Sequence, residues 1–450
     1  MDVTTSSRRL SYGLLPIALL SLAAGCFAPP THTIPPPSQE RFSKISQSVA
    51  LLRRLERKRD FEIGAIDSAR FDPTPIPDDA PLERAYKQLG LLGASDDFKT
   101  ELGKYRRLER LIGYDNNNDR LLIAADAHRL ASELQPPYQR ATTELPLALG
   151  IVQALQEQHF QWQDKISRTG VDDTRLAYRA VAGGDALLTA LAHGSDGNLA
   201  SPGHLTAARQ VGLQIARLAR DLAPFLSSQL SFPFREGSDF VAWAVKAKGT
   251  DGLNSLYANP PGSTAQILHP EKYFLARQIP QRFLPAQLLR RMAAPVLVDQ
   301  TIGEFLLRGL LESEHSIALA RQIAAGWRGD QLFSFDGKSV QTTAWYSAWG
   351  SAAEAAAFQH GFQAVVEKRQ RTRLRPGRGK DNATLSANTR DRGSIALTRK
   401  NNLVLYLVTG ADRLFSLTEE AWKDLVVETQ PQPFGFESAR GPAQLSLRKR

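Results

Sequence analysis

Apolar residues recur along much of the chain at the spacing of amphipathic helices. Between residues 45 and 55 they follow one another at intervals of four, three and three residues, and a similar pattern runs from 211 to 222. Such spacing places the apolar side chains on one face of an α-helix. Further helices are predicted over residues 147–162, 174–192 and 352–366. The pattern therefore indicates a predominantly helical body.

Paired strands are predicted at two places. Residues 112–123 contain a turn rich in Asp and Asn followed by an apolar run, which favours a hairpin. Residues 403–408 are rich in Val, Leu and Tyr, and residues 394–397 could pair with them through a turn at 400–402. Residues 283–325 are instead helix-rich. The fold class predicted from these patterns is α+β, with helices in the majority.

The N-terminal 25 residues have the features of an export signal. Arg8 and Arg9 supply positive charge, and residues 14–22 form an apolar run too short to cross a bilayer, which needs about 20 residues. Residues 22–26, Leu-Ala-Ala-Gly-Cys, resemble the bacterial lipobox. That resemblance implies cleavage of residues 1–25 and attachment of lipid to the sulfur of Cys26. The alternative is an ordinary signal peptide followed by an incidental cysteine.

The residues after Cys26 predict a tether and a location. Residues 29–37 include five prolines, which favours an extended polyproline II spacer, and we assign the tether to residues 26–40. The sequence thus predicts an exported, membrane-anchored lipoprotein. Because no Asp follows Cys26, resemblance to the sorting rules of Gram-negative cells implies the periplasmic face of the outer membrane. Cys26 is also the only cysteine, which excludes disulfides and cysteine-built metal sites.

The chain is basic, and one segment concentrates that charge. Its formal net charge is +10 over 450 residues, of which residues 1–25 contribute only +1. Residues 368–380 carry seven Lys and Arg side chains. Because exported proteins rarely meet nucleic acid, we expect an anionic lipid or envelope polymer as the partner of this basic segment, and no nucleic acid. The alternative, which the pattern favours, is a flexible, solvated loop without a ligand.

Several motifs resemble those of a group of bacterial gluzincin-like zinc metallopeptidases. Residues 154–160, ALQEQHF, resemble the end of the HELxHALQDQHF helix of that group. Residues 260–273, PPGSTAQILHPEKY, are close to its PPxSTEQILHPEKY and form the most specific match. The remaining matches, in chain order, are at residues 113–123, 232–240, Asp299, 303–304 and 324–330.

The resemblance implies a domain organisation as well as a fold. Residues 41–360 would form a zincin-like core, α+β and predominantly helical, with a small β-sheet. Residues 361–450 would form a basic linker and a C-terminal α+β segment, which either joins the same domain or stands apart.

When the motifs of the group are aligned with this sequence, the resemblance implies which residues stand at the positions of the zinc ligands and of the catalytic glutamate. The first histidine ligand falls on Leu149, the catalytic glutamate on Gly150 and the second histidine on Gln153. The third ligand, the glutamate of an EGDA segment, falls on Gly183. Leucine and glycine have no donor atom for zinc, and no carboxylate remains there to deprotonate a water molecule. The sequence therefore predicts no zinc, no other cofactor and no peptide hydrolysis.

Five other polar residues are candidates for a cleft or loop near the former site: His159, Asp185, His269, Glu271 and Tyr273. On a helix, His159 would lie about 120° off the face of Gln153, which favours a structural role. His269, Glu271 and Tyr273 could support acid–base chemistry. The alternative, which we favour, is a loop packed near the cleft, because polar loop residues alone do not define a site.

The function predicted from these features is binding or scaffolding at the cell envelope by a catalytically inactive, peptidase-like body. The degenerate helix can still line a cleft that accepts a peptide or a protein partner. Two alternatives stay open. One is an active metallohydrolase that uses substitute ligands, and the other is a regulator that pairs with an active homologous peptidase.

Overall fold

The structure is a computed structural model that describes residues 39–66, 79–134, 138, 141–170, 172–336, 341–377, 384–389 and 393–429. The predicted signal segment, Cys26 and nearly all of the tether lie outside these residues. So do residues 378–380 of the basic segment and residues 430–450 of the C-terminal segment.

Helices account for more than half of the described residues, so the α+β, predominantly helical fold class is confirmed. In chain order the α-helices are α1 Gln39–Arg53, α2 Ala80–Leu89, α3 Phe98–Glu109, α4 Ala141–Phe160, α5 Trp162–Arg168, α6 Asp172–His193, α7 Pro202–Leu218, α8 Pro224–Ala258, α9 Thr264–Leu268, α10 Glu271–Phe274, α11 Ala286–Met292, α12 Gly303–Glu312, α13 Ile317–Ala324, α14 Ala352–Arg369 and α15 Leu414–Trp422.

The strands of the described residues form three sheets. In chain order they are β1 Glu62–Ile66, β2 Ile112–Asp115, β3 Arg120–Ala124, β4 Gln281–Pro285, β5 Val296–Gln300, β6 Trp327–Phe335, β7 Thr342–Trp349, β8 Arg375–Pro376, β9 Thr384–Asn388, β10 Gly393–Lys400, β11 Leu403–Gly410 and β12 Leu425–Thr429. The sheet orders are β1-β3-β2, β5-β6-β7-β11-β10-β9-β8 and β12-β4. Strand β1 pairs parallel with β3, and every other pairing among these strands is antiparallel.

Helices α6 and α8 cross in backbone contact at the centre of the helical part. A Cβ added to Gly184 would lie 2.4 Å from the carbonyl carbon of Gly237. A Cβ on Gly237 would in turn lie 2.3 Å from the carbonyl oxygen of Ala180. Only glycine permits this approach, because such distances are far shorter than van der Waals contact. Helix α4 packs beside the crossing, where Gln156 Nε2 donates a hydrogen bond to the carbonyl oxygen of Ala182 at 3.0 Å.

Other elements cover both faces of the seven-stranded sheet, as the contacts of the β7 residues show. Successive strand residues point to opposite faces. Trp345 therefore packs edge-on against Phe362 of α14, with ring centroids 5.2 Å apart. Its neighbour Tyr346 stacks on Phe283 of β4 at 5.6 Å and donates a hydrogen bond to the carbonyl oxygen of Ala421 in α15. The sheet is thus sandwiched between helix α14 and a second layer that contains β4 and α15.

Both predicted strand pairs are present. Strands β2 and β3 form the hairpin over residues 112–124, and Asp115 accepts a hydrogen bond from the backbone N–H of Asn117 in its turn. Strands β10 and β11 pair antiparallel through the turn at Asn401 and Asn402. The central strands β6 and β7 were not predicted, and β4 and β5 lie where the pattern indicated helices.

The large sheet combines strands from both sides of residue 360. Strand β7 pairs with β11 from Leu403↔Ala348 to Val408↔Thr343, and α14 continues without a break across residues 360 and 361. Among the described residues, no helix is both long and apolar enough to cross a bilayer.

Candidate functional site

The four positions where the resemblance places zinc chemistry lie on α4 and α6. Leu149 is buried, with 1% of its surface exposed. The side-chain oxygen of Gln153 is buried and has no hydrogen-bond partner among the described residues. This amide oxygen is the only side-chain atom at the four positions that could coordinate a zinc ion. A catalytic zinc needs three protein ligands. These residues therefore do not fit a zinc ion.

Neighbouring side chains fill the space beside both glycines. A Cβ added to Gly150 would lie 2.3 Å from Cδ1 of Leu121, a fully buried residue of β3. A Cβ on Gly183 would lie 2.6 Å from the Cβ of Pro233 in α8. The β2–β3 hairpin and α8 thus occupy the room into which ligand side chains would extend. The space beside Gly150 and Gly183 is therefore filled by Leu121 and Pro233.

Asp185, two residues beyond Gly183, is fully buried in a polar cluster. Arg53 Nε lies 2.7 Å from Asp185 Oδ1, and both side chains have an exposed fraction of 0%. The hydroxyl of Tyr257 donates to Asp185 Oδ2 at 2.5 Å, and Gln156 Nε2 donates to the same oxygen at 3.0 Å. Burial raises the pKa of Tyr257 well above its ordinary value of 10.0, which keeps the phenol protonated as a donor. Asp185 therefore has a structural role.

His159 also makes a contact that links two segments of the chain. Its Nε2 lies 2.7 Å from the carbonyl oxygen of Glu56, in the segment that follows α1. The ring thus ties the end of α4 to that segment.

The structure does bring His269 together with other polar residues. His269 Nε2 lies 2.6 Å from Oε1 of Glu304, whose side chain is only 3% exposed. Lys272 Nζ lies 3.3 Å from the other carboxylate oxygen of Glu304 and donates to the carbonyl oxygen of Ala325 at 3.0 Å. Burial lowers the pKa of Lys272, and the charge of Glu304 opposes that shift. Glu304 is thus held by two partners from the PPGSTAQILHPEKY segment.

Glu271 and Tyr273 of the same segment have separate roles. Glu271 Oε1 lies 3.7 Å from Nδ1 of His269, which is too long for a hydrogen bond, and its side chain is 55% exposed. The Tyr273 hydroxyl donates to the carbonyl oxygen of Asn259. Tyr273 therefore fixes the loop backbone, and the three residues do not converge on one reacting centre.

Asp330 positions the helix that carries Glu304. Its carboxylate accepts hydrogen bonds from the backbone N–H groups of Ile302 and Gly303, each at 2.8 Å, and from the indole N–H groups of Trp327 and Trp345. Gly303 has a φ of +77°, a left-handed conformation that favours glycine. The motif residues at 303–304 and 330 are thus parts of one buried scaffold.

A cleft of about 380 Å³ opens next to this scaffold. Four arginines from four helices line it: Arg209 on α7, Arg235 on α8, Arg308 on α12 and Arg321 on α13. His269 and Glu304 form part of the wall. None of the four former zinc positions lines this cleft. It is therefore a different site from the one that the resemblance implies.

Two further carboxylates line the cleft and lie beside its arginines. Arg209 donates to both oxygens of Asp239, at 3.0 and 3.2 Å. Glu236 lies 3.6 Å from Arg308 and 3.9 Å from Arg235, distances that make ion pairs but not hydrogen bonds. Arg321 is exposed and makes no ion pair with any described residue. The cleft thus has more arginines than solvent-accessible carboxylates.

Sequence reasoning selected only His269 from this cleft. The arginines lie between positions 209 and 321 on separate helices, so no local pattern links them. Two signals were present: Glu304 belongs to the match at residues 303–304, and Arg235 and Glu236 fall inside the match at residues 232–240. The prediction of candidate site residues did not use the charges of Arg235 and Glu236.

The described part of the basic segment is engaged by acidic neighbours. Lys368 Nζ lies 2.9 Å from Glu314, and Arg373 lies 3.3 Å from Glu367. Both cations are well exposed, at 67% and 86%. Such exposed pairs leave the segment solvated, so an anionic partner for it stays a prediction.

Comparisons with known proteins add one partial similarity. Residues 294–417 match the family model of a domain of unknown function, DUF8575. The match includes all strands of the seven-stranded sheet and also α12 and α13, which carry Arg308 and Arg321. No curated protein and no solved structure matches the chain.

Proposed function

We propose that the chain is an exported lipoprotein whose gluzincin-like body does not hydrolyse peptides and instead binds a ligand or partner at the cell envelope. The observation that carries the proposal is the packing around Leu149, where Leu121 and Pro233 fill the space beside Gly150 and Gly183. Hydrolysis by a zinc peptidase needs three ligands and a carboxylate that activates water. Among these four positions the only side-chain oxygen is the amide oxygen of Gln153, and Leu121 and Pro233 fill the space beside the two glycines.

The buried polar contacts around Asp330 and Glu304 support a function that does not depend on catalysis. Asp330 fixes the start of α12, and Glu304 on that helix holds His269 and Lys272. A buried carboxylate with its partners is stabilised only when those partners are in place. The matched motifs outside the former zinc positions therefore maintain the wall of the arginine-lined cleft, which makes this cleft the binding surface that we favour.

The membrane is the second partner in this proposal. Lipid on Cys26 would anchor the chain, and the proline-rich tether would hold the body away from the bilayer, at the periplasmic face of the outer membrane in a Gram-negative cell. No cofactor is needed for such a role.

A peptidase assay on the full chain tests this proposal. Purified protein would be incubated with a mixture of unstructured peptides, with and without added Zn²⁺, and cleavage followed by mass spectrometry. We expect no cleavage above the level of a blank without protein, whether or not zinc is added. Cleavage that zinc enhances and a chelator abolishes would instead establish the metallohydrolase alternative.

A further inference from the structure

Three arginines of the cleft have guanidinium groups without a hydrogen bond to any part of the chain that the structure describes. Arg235, Arg308 and Arg321 make no side-chain hydrogen bond with any residue of the described chain. A guanidinium carries five N–H donors and remains charged at every physiological pH. The cleft therefore presents unused donors from three different helices.

Arg308 is the best positioned of the three. Its side chain is 12% exposed, and its Nε is buried without a hydrogen-bond partner among the described residues. Its guanidinium also lies over the ring of Phe305, 5.3 Å from the ring centroid. Glu236 and Glu312 flank it at 3.6 and 3.4 Å. This environment restricts the side chain before any ligand arrives, which lowers the entropy lost on binding.

We propose that this cleft binds a phosphate group through Arg235, Arg308 and Arg321. The inference deepens the proposed function by naming a ligand class, and it rests on that function only in taking the cleft as the binding surface. A phosphate monoester carries a charge of about −1.5 to −2 and three strong acceptor oxygens. Three guanidiniums on separate helices match three such oxygens, whereas a carboxylate offers two oxygens in one plane.

The other charges of the cleft agree with this choice. Asp239 is engaged by Arg209, and Glu304 is engaged by Lys272 and His269. Glu236 lies 3.6 Å from Arg308 and 3.9 Å from Arg235, so it offsets one of their two charges. Arg321 then has no acidic counterpart and adds positive charge at the rim. A metal cation would meet four arginines and is disfavoured by their charge. The volume of about 380 Å³ exceeds what a phosphate ion alone requires, so it accommodates an attached organic group.

Calorimetric titration of the full chain with sn-glycerol 3-phosphate and with inorganic phosphate tests the proposal. We expect saturable binding of the monoester that weakens as salt is added. Arg321→Gln should weaken binding about tenfold, since it removes charge-assisted hydrogen bonds without touching an internal ion pair. Arg107→Gln is the matched control, because Arg107 is an exposed helical arginine outside the cleft. It should leave the affinity unchanged.

Arg308→Gln provides a second variant, with circular dichroism to verify folding. It should weaken binding by more than Arg321→Gln, since Arg308 is the more buried of the two. Vesicles of phosphatidylcholine with about 20 mol% phosphatidic acid, whose headgroup is a phosphate monoester, form a separate arm. Vesicle binding that Arg321→Gln weakens assigns the phosphate to a lipid headgroup, and binding of the soluble monoester alone assigns it to a small molecule.

Three results would overturn the phosphate proposal. The first is that none of the probes binds. The second is that Arg321→Gln and Arg107→Gln weaken binding equally, and the third is that citrate binds more tightly than the monoester. None of them bears on peptide hydrolysis. Conversely, zinc-dependent cleavage would refute the proposed function and leave the phosphate titration intact.

Discussion

The Cβ of Pro233 lies where a side chain on Gly183 would begin, since a Cβ built on Gly183 would come within 2.6 Å of it. Helix α8 can approach α6 this closely because residue 183 is a glycine. Under the proposed function this residue stands where the resembling peptidases have their third zinc ligand, so a side chain introduced at position 183 should disturb the packing of the two helices.

Gly183→Ala should therefore lower the free energy of unfolding by about 1–3 kcal/mol, as overpacking of a close helix contact does. Gly309→Ala in α12 is the control, because a Cβ there meets nothing within 4 Å. That variant should be neutral or stabilising by up to about 1 kcal/mol, given the higher helix propensity of alanine. Urea denaturation of both variants measures the difference. Equal stability of the two would show that α6 and α8 are not in this contact.

The buried pair of Arg53 and Asp185 should be far more sensitive than any surface pair. Asp185→Asn leaves the Arg53 charge buried without compensation, so we expect a loss of about 3–5 kcal/mol. The exposed pair of Lys44 and Glu40 is the comparison, with side chains 74% and 78% exposed. Glu40→Gln should change stability by less than about 0.5 kcal/mol. Similar losses in the two variants, measured by chemical denaturation, would argue against the buried cluster.

Asp173 should make the stability of the chain depend on pH. Burial raises its pKa well above the ordinary value of 3.8, and the charges of Asp330 and Glu304 add to that shift. The folded state then binds the proton more tightly than the unfolded state, so this contribution stabilises at low pH and is lost as pH rises through the raised pKa. The stability of Asp173→Asn relative to the wild type should therefore increase between about pH 4 and pH 8. A difference that stays constant over that range, in urea titrations, would contradict the raised pKa.

Cys26→Ala should release the chain from the membrane. Without the thiol no lipid can be attached, and the described residues include no helix that could cross a bilayer. We expect the wild type in the detergent phase of a Triton X-114 partition and the variant in the aqueous phase. Equal partition of the two proteins would mean that Cys26 is not an anchor.

Local patterns predicted the elements that have one buried face or a strong turn. Helices α1 and α7, whose buried residues recur at helical spacing on one face, and the β2–β3 hairpin belong to this group. Strands β6 and β7 were missed because they are buried on both faces, so the alternation of polar and apolar residues that marks a surface strand is lost. The parallel pairing of β1 with β3 joins segments far apart in sequence and leaves no local signal.

The same limit applies to the candidate site. The lack of metal-donor atoms at Leu149 and Gly183 is readable from the sequence, because it concerns which residue stands at one place. The cleft was not readable, because Arg235, Arg308 and Arg321 come together only through the packing of α8, α12 and α13. His269 was found because it belongs to a continuous motif.

The zinc content of the full chain tests the central claim most directly. Protein purified from membranes and dialysed without chelator would be measured by elemental analysis, with an intact gluzincin prepared in the same way as the reference. A body with only the amide oxygen of Gln153 at the former ligand positions should retain far less than one zinc ion per chain. One zinc ion per chain that survives dialysis, lost on mutation of Gln153, would contradict the account.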